Sequence, residues 1–452
     1  MERLSTNGDS NFMQARPQMA PRKRSYLDPI HHDIVLDRND PTDRLVIDLI
    51  DTAEFQRLRR ILQLGVSYFT FQGAEGSRFT HSVGVMYIAK QLVDLLADKS
   101  GFVLRFKPLI LATALLHDIG HGPYSHVTEK ILGYDHEDWS CKIISGNTEV
   151  NSVLKSFHPD FPAQIKAILK KTHQPKFLTD LVSSQLDCDR FDYLLRDSYL
   201  TGTAYGLFAL QRILSSLEID PDTQRIIVSG EKGQAAVEDY LFARYSMYQQ
   251  VYYHRKNLAA RALLSRLIKR AKLLNNDICF IDEQTKKWLS GDDLDVQEYL
   301  YLDDVQMSYH IKQWSRDKDP IMKDLACRFL NRKLFNATKL PFMDIEQAEK
   351  IKEKAKKLVA QKGMDPEYYI AVETTGLRPY DYYRPEANHP QTNIMVRTER
   401  GDIRELSTIS PTVEALVKGS FDTYWLIFPS EVRDSINNMI DSEFKQPTAV
   451  KK

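Results

Sequence analysis

The spacing of apolar residues along the chain changes near residue 275. Before that point apolar residues recur every three or four positions, which is the period of an amphipathic helix. The pattern predicts helices over residues 43–64, with an interruption near Thr52, and over residues 83–96, 108–116, 187–200 and 237–274. The last segment contains neither Pro nor Gly, so one long helix is expected there.

Beyond residue 275 the pattern is mixed. Helical segments at 305–330 and 345–362 are followed by short β-branched and aromatic runs at 368–373, 392–397 and 424–428, which are typical of strands. We therefore expect a mainly α protein, with a helical domain over residues 25–270 and a smaller C-terminal α+β part over residues 271–440. The polar ends, a basic arm over residues 1–24 and a tail over residues 441–452, are predicted to be disordered.

Composition excludes several classes of protein. The 452 residues are 42% hydrophobic and 27% charged, which is ordinary for a globular protein and too apolar for a disordered one. Lys and Arg number 61, as do Asp and Glu, and this balance disfavours nucleic acid as the principal partner. The four cysteines are far apart, which argues against a disulfide framework and a cysteine-ligated zinc site. No apolar run reaches the about 18 residues of a membrane span, and no hydrophobic signal core is visible, so a cytoplasmic protein is expected.

The candidate chemistry lies in an uneven distribution of histidine. Five of the twelve histidines fall between residues 81 and 136. The densest segment is LLHDIGHGPYSH, in which a predicted apolar helix ends at His117 and Asp118 and two glycines follow. Neighbouring residues on a helix point about 100° apart, so both can bind one metal ion only where the helix ends or loosens. The His-Asp pair is therefore predicted to be part of a metal site.

Two further residues complete a predicted ligand set. His81 precedes the predicted helix at 83–96, and Asp189 lies near the start of the predicted helix at 187–200. Two imidazoles and two carboxylates suit a divalent cation such as Mg, Mn, Fe, Zn or Ni, and the sequence does not distinguish among these metals.

The segment after Asp189 also points to a binding site. Asp189, Tyr193 and Asp197 are spaced four residues apart, which places them on one helix face. The alternative interpretation is an amphipathic helix with surface charge, which would account for Asp192 and Arg196.

Four longer strings carry a family resemblance: FQRLRRILQLG, GAEGSRFTHSVGV, LLHDIGHGPYSH and LDCDRFDYLLRDS. They resemble HD-domain phosphohydrolases, and more specifically the bacterial deoxynucleoside triphosphate (dNTP) triphosphohydrolases. Those enzymes are similar in turn to the catalytic core of the animal enzyme that joins a sterile-alpha-motif domain to an HD domain. The resemblance implies an HD-domain helical bundle as the catalytic core and a C-terminal part with regulatory and oligomerisation roles. It also implies that water attacks the α-phosphorus of a dNTP and releases a deoxynucleoside and intact triphosphate.

The resemblance assigns roles to individual residues. His126 corresponds to a general acid, and Glu129, one helical turn later, is placed to orient its imidazole. His121 and His136 correspond to residues that line the phosphates. The implied metal ligands are again His81, His117, Asp118 and Asp189. The implied substrate contacts are Gln63, Leu64, Arg78, Arg190, Tyr193, Asp197, Arg244, Tyr252 and His254.

Regulation is implied as well. The related enzymes are tetramers in which nucleotides bound between subunits order the active site. Asp51, Gln56 and Arg59 match positions that read guanine, so a guanine nucleotide activator and a homotetramer are expected. The other positions that match activator sites are Arg24, Arg212, Lys232, Arg255 and Arg332.

Two other functions stay open at this point. One is a different HD phosphohydrolase activity, such as a nucleotidase, an alarmone hydrolase or a phosphodiesterase. The other is a non-catalytic nucleotide-sensing or nucleic-acid-binding protein, which a broken metal set would favour. The Tyr-rich segment at 237–274 also suits an oligomer core, and Asp51, Gln56 and Arg59 also suit a solvated helix end.

Overall fold

Helices form most of the protein, so the mainly α prediction is confirmed. The computed structural model describes residues 22–341, 343–376, 380, 393–418 and 422–444. The helices up to residue 274 are α1 (Pro41–Ile50), α2 (Ala53–Arg57), α3 (Arg78–Lys99), α4 (Lys107–Leu116), α5 (His126–Leu132), α6 (His136–Ser145), α7 (Glu149–Phe157), α8 (Phe161–Leu169), α9 (Phe177–Val182), α10 (Cys188–Leu200), α11 (Leu210–Ser216), α12 (Gly230–Met247) and α13 (Arg255–Leu274). The later helices are α14 (Glu283–Ser290), α15 (Val296–Tyr301), α16 (Asp304–Trp314), α17 (Pro320–Leu330), α18 (Ile345–Gln361), α19 (Pro366–Tyr369), α20 (Leu406–Ile409), α21 (Pro411–Lys418) and α22 (Arg433–Phe444).

Short strands form three small sheets within the described ranges. The strands are β1 (Lys23–Asp28), β2 (His32–Asp37), β3 (Leu217–Ile219), β4 (Ile226–Ser229), β5 (Asn336–Lys339), β6 (Ala371–Gly376), β7 (Met395–Arg397), β8 (Ile403–Glu405) and β9 (Asp422–Phe428). β1 and β2 form an antiparallel hairpin, and β9 lies between β5 and β6 in an antiparallel sheet. The third sheet has the order β3-β4-β7-β8, in which the central pair is parallel and joins the two parts of the chain.

One hydrophobic core extends from Ile34 to Ile440 and holds the helices together. Helix α4 is apolar all round and is buried from Leu109 to Leu116, and it packs beside α3, which in turn packs against α10. Asp187 caps α10 by accepting a hydrogen bond from the backbone N–H of Arg190 at 2.8 Å. These three helices carry the predicted metal ligands into one place.

Several predicted elements differ from the observed ones. The expected long helix at 237–274 is two helices, because a π-helical turn over residues 248–252 interrupts it and the His254 side chain caps α13. The predicted helix at 305–330 is also divided, since Asp319 caps a new helix that starts at Pro320. The predicted helix at 43–64 ends near Arg60, and the break near Thr52 is confirmed because Thr52 caps α2.

The predicted boundaries also differ from the structure in detail. Residues 23 and 24 belong to β1, and the first two residues of the predicted strand at 368–373 belong to the short helix α19. Helix α13 continues through residue 270, and α22 extends to residue 444. The rest of the predicted arm and tail, residues 1–21 and 445–452, lies outside the described residues. None of the helices in the described ranges is long and apolar enough to cross a membrane.

Candidate metal centre and active-site cavity

Three helices bring the four predicted metal ligands together. His81 lies in the first turn of α3, His117 and Asp118 directly follow α4, and Asp189 lies in the first turn of α10. The ligand atoms of His81, His117 and Asp189 lie within 4.8 Å of one another. Asp118 completes the group, with Oδ1 3.4 Å from His117 Nε2 and Oδ2 3.7 Å from His81 Nε2.

The hydrogen bonding of His117 fits a divalent cation at this position. His117 Nδ1 lies 2.8 Å from the carbonyl oxygen of Ala114, so Nδ1 donates a hydrogen bond and Nε2 is the ring atom that a cation could meet. That Nε2 atom is buried and has no hydrogen-bond partner among the described residues. A buried acceptor without a partner is unfavourable, and a cation at this position would give it one.

The charges of the group favour a cation as well. Burial lowers the pKa of His81, but hydrogen bonds to Asp189 and Asp192 outweigh burial and raise the pKa to about 10. Burial raises the pKa of Asp118, but His117, Arg78 and His121 hold it well below its usual range. The carboxylates are therefore ionised and attract positive charge, which a metal ion can supply in place of a proton.

A buried charge network lies behind His81. His81 Nδ1 is 2.8 Å from Asp192 Oδ2, and His31 Nε2 is 2.6 Å from Asp192 Oδ1. Arg196 Nε donates to Asp192 Oδ2 at 2.7 Å, and Arg196 also donates to Asp28 at 2.8 Å. Asp192 is 0% and Arg196 1% exposed, so the interpretation of these two residues as surface charges is wrong. The network fixes the His81 ring with Nε2 toward the metal position.

A second histidine cluster lies next to Asp118. Glu129 accepts hydrogen bonds from two imidazoles, with His126 Nδ1 at 2.9 Å from Oε2 and His136 Nδ1 at 2.8 Å from Oε1. Burial raises the pKa of Glu129, but these two histidines outweigh burial and lower it far below its usual range. His121 Nε2 lies 3.3 Å from Asp118 Oδ1 and therefore links the two clusters.

This second cluster is arranged for an anion or a proton rather than for another metal ion. Its ligand atoms lie within 4.8 Å of one another, so distance alone would permit an ion. However, the rings of His121 and His136 are stacked, with centroids 3.9 Å apart and planes 12° apart. Imidazole lone pairs lie in the ring plane, so one ion cannot meet both lone pairs while the rings are stacked.

A cavity of about 470 Å³ connects both clusters with an aromatic region. Gln63 and Leu64 contribute to its wall, as do Asp118 and His121. The predicted site residues that line it are Gln63, Leu64, Arg78, Asp118, His121, His126, His136, Asp189, Tyr193, Asp197 and Tyr252. The cavity therefore places residues of the predicted metal site, the second histidine cluster and an aromatic surface in one continuous space.

Two buried acceptors face this space without a partner among the described residues, namely Gln63 Oε1 and Asp197 Oδ1. The other oxygen of Asp197 accepts a hydrogen bond from the Tyr252 hydroxyl at 2.8 Å. Burial raises the pKa of Asp197 to about 7. Acceptors of this kind suit a ligand that carries hydroxyl groups.

Three predicted substrate residues lie outside the cavity wall in the described part of the chain. Arg190 is held by an ion pair with Asp187, and Arg244 donates to the side-chain oxygen of Gln185 at 2.6 Å. His254 caps α13. Each of these side chains has a structural contact, and their substrate roles stay predictions.

The predicted activator residues fall into several groups. Arg24 forms an ion pair with Asp51 at 2.5 Å, and Arg59 Nε donates to Gln56 Oε1 at 2.8 Å. Burial lowers the pKa of Lys256 most, and Arg255 and Arg332 lower it further, so both guanidinium groups lie near Lys256.

The last two activator residues lie elsewhere. Arg212 lines a separate cavity of about 500 Å³ together with His31, and Lys232 is exposed near the start of α12. Of the three residues predicted to read guanine, Gln56 and Arg59 contact each other and Asp51 contacts Arg24, and the role of all three stays a prediction.

Sequence analysis did not select several residues of the site. Tyr124, Ser125, Tyr248, Tyr253 and Arg261 line the cavity, and Asp192, Arg196, His31 and Asp28 form the network behind His81. A sequence signal existed for one pair, because Asp192 and Arg196 are four residues apart on α10. The others come from distant segments and carry no local pattern.

Comparisons with known proteins agree with this geometry. Residues 78–197 match the family model described as HD domain, and residues 208–449 match the one described as HD associated region. An uncharacterized protein of Bacillus subtilis, YwfO, is 38% identical over 415 residues, which cover 91% of this chain and 93% of that protein. The deoxynucleoside triphosphate triphosphohydrolase SAMHD1 homolog of Dictyostelium discoideum is 31% identical over 226 residues, which cover 46% of this chain and 43% of that protein.

A solved structure extends the similarity to the whole fold. The crystal structure of a phosphohydrolase from Bacteroides thetaiotaomicron superposes with a TM-score of 0.76 at 26% identity and covers 90% of this chain and 99% of that chain. Its similarity includes both the helices that carry the metal ligands and the C-terminal part. The chain therefore belongs to the HD-domain family of metal-dependent phosphohydrolases and carries the HD associated region.

Proposed function

We propose that the protein is a metal-dependent dNTP triphosphohydrolase, which converts a dNTP into a deoxynucleoside and triphosphate. The observation that carries the proposal is the single cavity that joins the His/Asp group to the His126 cluster and to unpartnered hydroxyl acceptors. Relatives named as deoxynucleoside triphosphate triphosphohydrolases support the choice of substrate class.

We assign the four predicted metal ligands to a cation that contacts the phosphates of the substrate. His81, His117, Asp118 and Asp189 would hold a divalent cation, of which Mg, Mn, Fe, Zn and Ni all suit the donors. When bound, the cation supplies positive charge that stabilises the phosphoryl oxygens in the transition state. Arg78, which donates to Asp118 at 2.5 Å and to Ser125 Oγ at 3.0 Å, adds a fixed positive charge beside the same oxygens.

We assign His126 the role of general acid, which protonates the leaving group. Attack of water at the α-phosphorus breaks the bond to the sugar 5′-oxygen, which leaves as an alkoxide and needs a proton. Glu129 accepts from Nδ1 of His126, so Nε2 is the atom that would deliver this proton. His121 and His136 stack on each other and meet the His126 ring edge-on, and we assign both to contacts with the phosphates.

The other end of the cavity is assigned to a deoxyribose. Asp197 and Gln63 each offer a buried oxygen that a 3′-hydroxyl would satisfy. Leu64 lines the same wall and offers no hydrogen bond, so an additional 2′-hydroxyl would be crowded and left without a partner. This combination favours deoxyribonucleotides over ribonucleotides.

Regulation is part of the proposal. We assign Asp51, Gln56 and Arg59 to a guanine nucleotide that activates a tetramer. The Asp51 carboxylate at the end of α1, the Gln56 amide in α2 and the Arg59 guanidinium just after α2 offer the donors and acceptors that the guanine edge requires. Arg24, which already contacts Asp51, offers a positive charge for the phosphates.

Product analysis tests the proposed reaction. Metal-loaded protein is incubated with mixed dNTPs and a guanine nucleotide, and the products are resolved by anion exchange. We expect deoxynucleoside and triphosphate in equal amounts, with dGTP consumed at least tenfold faster than GTP. Asp189→Ala is the matched control and should lose both bound metal and turnover while it stays folded. Formation of dNMP and pyrophosphate would assign the protein to a different phosphohydrolase class.

A further inference from the structure

The loop that carries His126 is held from outside by the segment Tyr299–Ser308, which spans the end of α15 and the start of α16. This segment belongs to the HD associated region, about 180 residues away in sequence from the loop. Its most direct contact is Asp304, which is 6% exposed. Asp304 Oδ1 accepts from the backbone N–H of Tyr124 at 2.7 Å, and Oδ2 accepts from the backbone N–H of Leu62 at 2.8 Å.

The two amides belong to two separate segments that line the cavity. Leu62 directly precedes Gln63 and Leu64, and Tyr124 directly precedes Ser125 and His126. One carboxylate therefore links the segment assigned to the sugar with the segment that carries the leaving-group acid. Each of its two oxygens accepts a hydrogen bond from one of these segments, so neither oxygen is left without a partner.

The loop needs such a restraint because its backbone is strained. Tyr124 and Ser125 both have positive φ values, 53° and 50°, a region that residues other than glycine rarely occupy. Conformations of this kind persist only where surrounding contacts hold them. Asp304 contacts the first of these two residues directly.

Other contacts of the same segment hold the loop upstream of this point. The Tyr299 hydroxyl donates to the carbonyl oxygen of Gly120 at 2.6 Å, and Ser308 Oγ lies 2.9 Å from the Tyr124 hydroxyl. Arg57 bridges the two parts, since its guanidinium donates to the carbonyl oxygens of Leu302 and His121 at 2.5 Å and 2.8 Å. The segment thus follows the loop from Gly120 to Tyr124.

We propose that Asp304 is a positioning residue for the reaction assigned above: it holds the strained Tyr124–Ser125 turn and the Leu62 backbone so that His126 faces the wall formed by Gln63 and Leu64. The inference rests on the proposed function for its kinetic consequence only. The structural consequence, restraint of two named amides, is independent of the substrate.

Asp304→Asn tests the proposal with the full-length, metal-loaded protein. The substitution keeps the shape of the side chain but replaces one carboxylate oxygen, which accepts a hydrogen bond from a backbone N–H, by an N–H₂ group. That group is a donor, so two donors then face each other. We expect hydrogen–deuterium exchange to become at least tenfold faster in peptides that contain Leu62 and Tyr124. For dNTP hydrolysis we expect kcat to fall at least tenfold, KM to change less than threefold, and metal content to stay unchanged.

Asp303→Asn is the matched control, because Asp303 caps the same helix and pairs with Arg60 but contacts neither amide. It should match the unmodified protein in exchange at both peptides and in kcat. If Asp304→Asn does not fold, Asp304→Glu keeps the charge and displaces both acceptors, and the same selective loss of kcat is expected.

Two results overturn the proposal. One is unchanged exchange at both peptides together with kcat within twofold of the unmodified protein. The other is a parallel loss of metal content and kcat, which would indicate general structural damage rather than positioning. If the unmodified protein hydrolyses no dNTP, the proposed function fails, and the exchange measurement alone decides the role of Asp304.

Discussion

A single buried carboxyl, Asp197, combines a proposed function with an effect on stability. Its side chain is 2% exposed, one of its oxygens has no partner in the described part of the chain, and burial raises its pKa to about 7. The same unpaired oxygen that suits a sugar hydroxyl therefore makes the ionised state unfavourable in the folded protein. His117 Nε2 is a similar case, since it also lacks a partner until a ligand supplies one.

Asp197→Asn should stabilise the protein in a pH-dependent way. The folded-state pKa of Asp197 is raised from 3.8 to about 7, so between these values the unfolded chain loses the proton that the folded chain retains, and stability falls as pH rises. Asn carries no charge, so its advantage should be absent below about pH 4, grow up to about pH 7 and then stay constant at roughly 2–4 kcal/mol. Thermal unfolding midpoints of both proteins from pH 4 to pH 8, at fixed metal concentration, measure this difference.

The same variant should lose activity, because Asn places an N–H₂ group or a single carbonyl where the sugar hydroxyl needs a charged acceptor. We expect kcat/KM for a dNTP to fall at least tenfold, in line with the about 1.5–3 kcal/mol of a hydrogen bond to a charged group. If the variant and the unmodified protein differ in unfolding midpoint by the same amount at pH 5 and at pH 8, the proposed effect of burial on Asp197 is contradicted. An unchanged kcat/KM would contradict the proposed role of Asp197 in binding.

At the scale of elements, the contact between α3 and α10 determines the geometry of the metal group. His81 on α3 meets both Asp189 and Asp192 on α10, so the two helices must approach closely. Gly84, one turn after His81, permits this approach. A Cβ atom at Gly84 would lie 2.0 Å from Asp192 Oδ1 and 2.4 Å from Arg196 Nη2.

Gly84→Ala should therefore be destabilising although Ala is the better helix former. The added methyl group must displace a buried ion pair, for which we expect a loss of roughly 3 kcal/mol or more, against a gain in helix propensity of about 1 kcal/mol. The metal affinity should fall as well, because His81 loses its orientation. Urea unfolding and metal content after dialysis measure both effects.

Gly101→Ala is the control for this substitution, since no heavy atom lies within 4 Å of a Cβ at that position. It should change neither stability nor metal content by more than a small fraction of the Gly84→Ala effect. If the Gly84→Ala protein has unchanged stability and metal content, the close approach of α3 and α10 does not require glycine at position 84.

At the scale of the whole molecule, the catalytic helices and the C-terminal part share one core. The core extends from Ile34 to Ile440, the parallel pair β4–β7 joins residues far apart in sequence, and Asp304 reaches the active-site loop from the HD associated region. Any change in the C-terminal part that shifts α16 can therefore reach the cavity directly. This connection offers a physical route for the proposed regulation.

Guanine-dependent assembly should be visible in turnover and in sedimentation. A nucleotide that bridges chains binds only where both are present, so it favours the assembled state. Turnover of dATP alone should be slow, and dGTP should raise it together with the fraction of tetramer. Asp51→Ala should abolish this stimulation and leave the metal content unchanged.

Asp48→Ala is the matched control, because Asp48 is a carboxylate on the same helix that pairs with Arg44 at 3.7 Å rather than with Arg24. It should retain the stimulation by dGTP. Equal dATP rates and an unchanged oligomer with and without dGTP would contradict guanine-gated assembly and leave the proposed reaction untouched.

The sequence by itself determined the features that depend on local spacing. The four predicted metal ligands could be selected because His117 and Asp118 are adjacent at a helix end, and because His81 and Asp189 each lie near the start of a helix of clear period. The face with Asp189, Tyr193 and Asp197 followed from helical geometry alone, and all three line the cavity. The mainly α class followed from the same periodicity.

Tertiary structure decided what depends on contacts between distant segments. Asp192 and Arg196 have the spacing of a surface ion pair, and only the packing of α3 against α10 buries them behind His81. The runs predicted at 368–373, 392–397 and 424–428 overlap β6, β7 and β9. The other short strands and the π-helical turn at 248–252 have too few residues to create a period, so neighbouring elements rather than local pattern specify them. Asp304 lies about 180 residues from Tyr124, and no local rule relates a helix start to a loop that far away in the chain. The predicted metal ligands can thus be recognised from the local sequence, whereas the environment that orients them forms only when the chain folds.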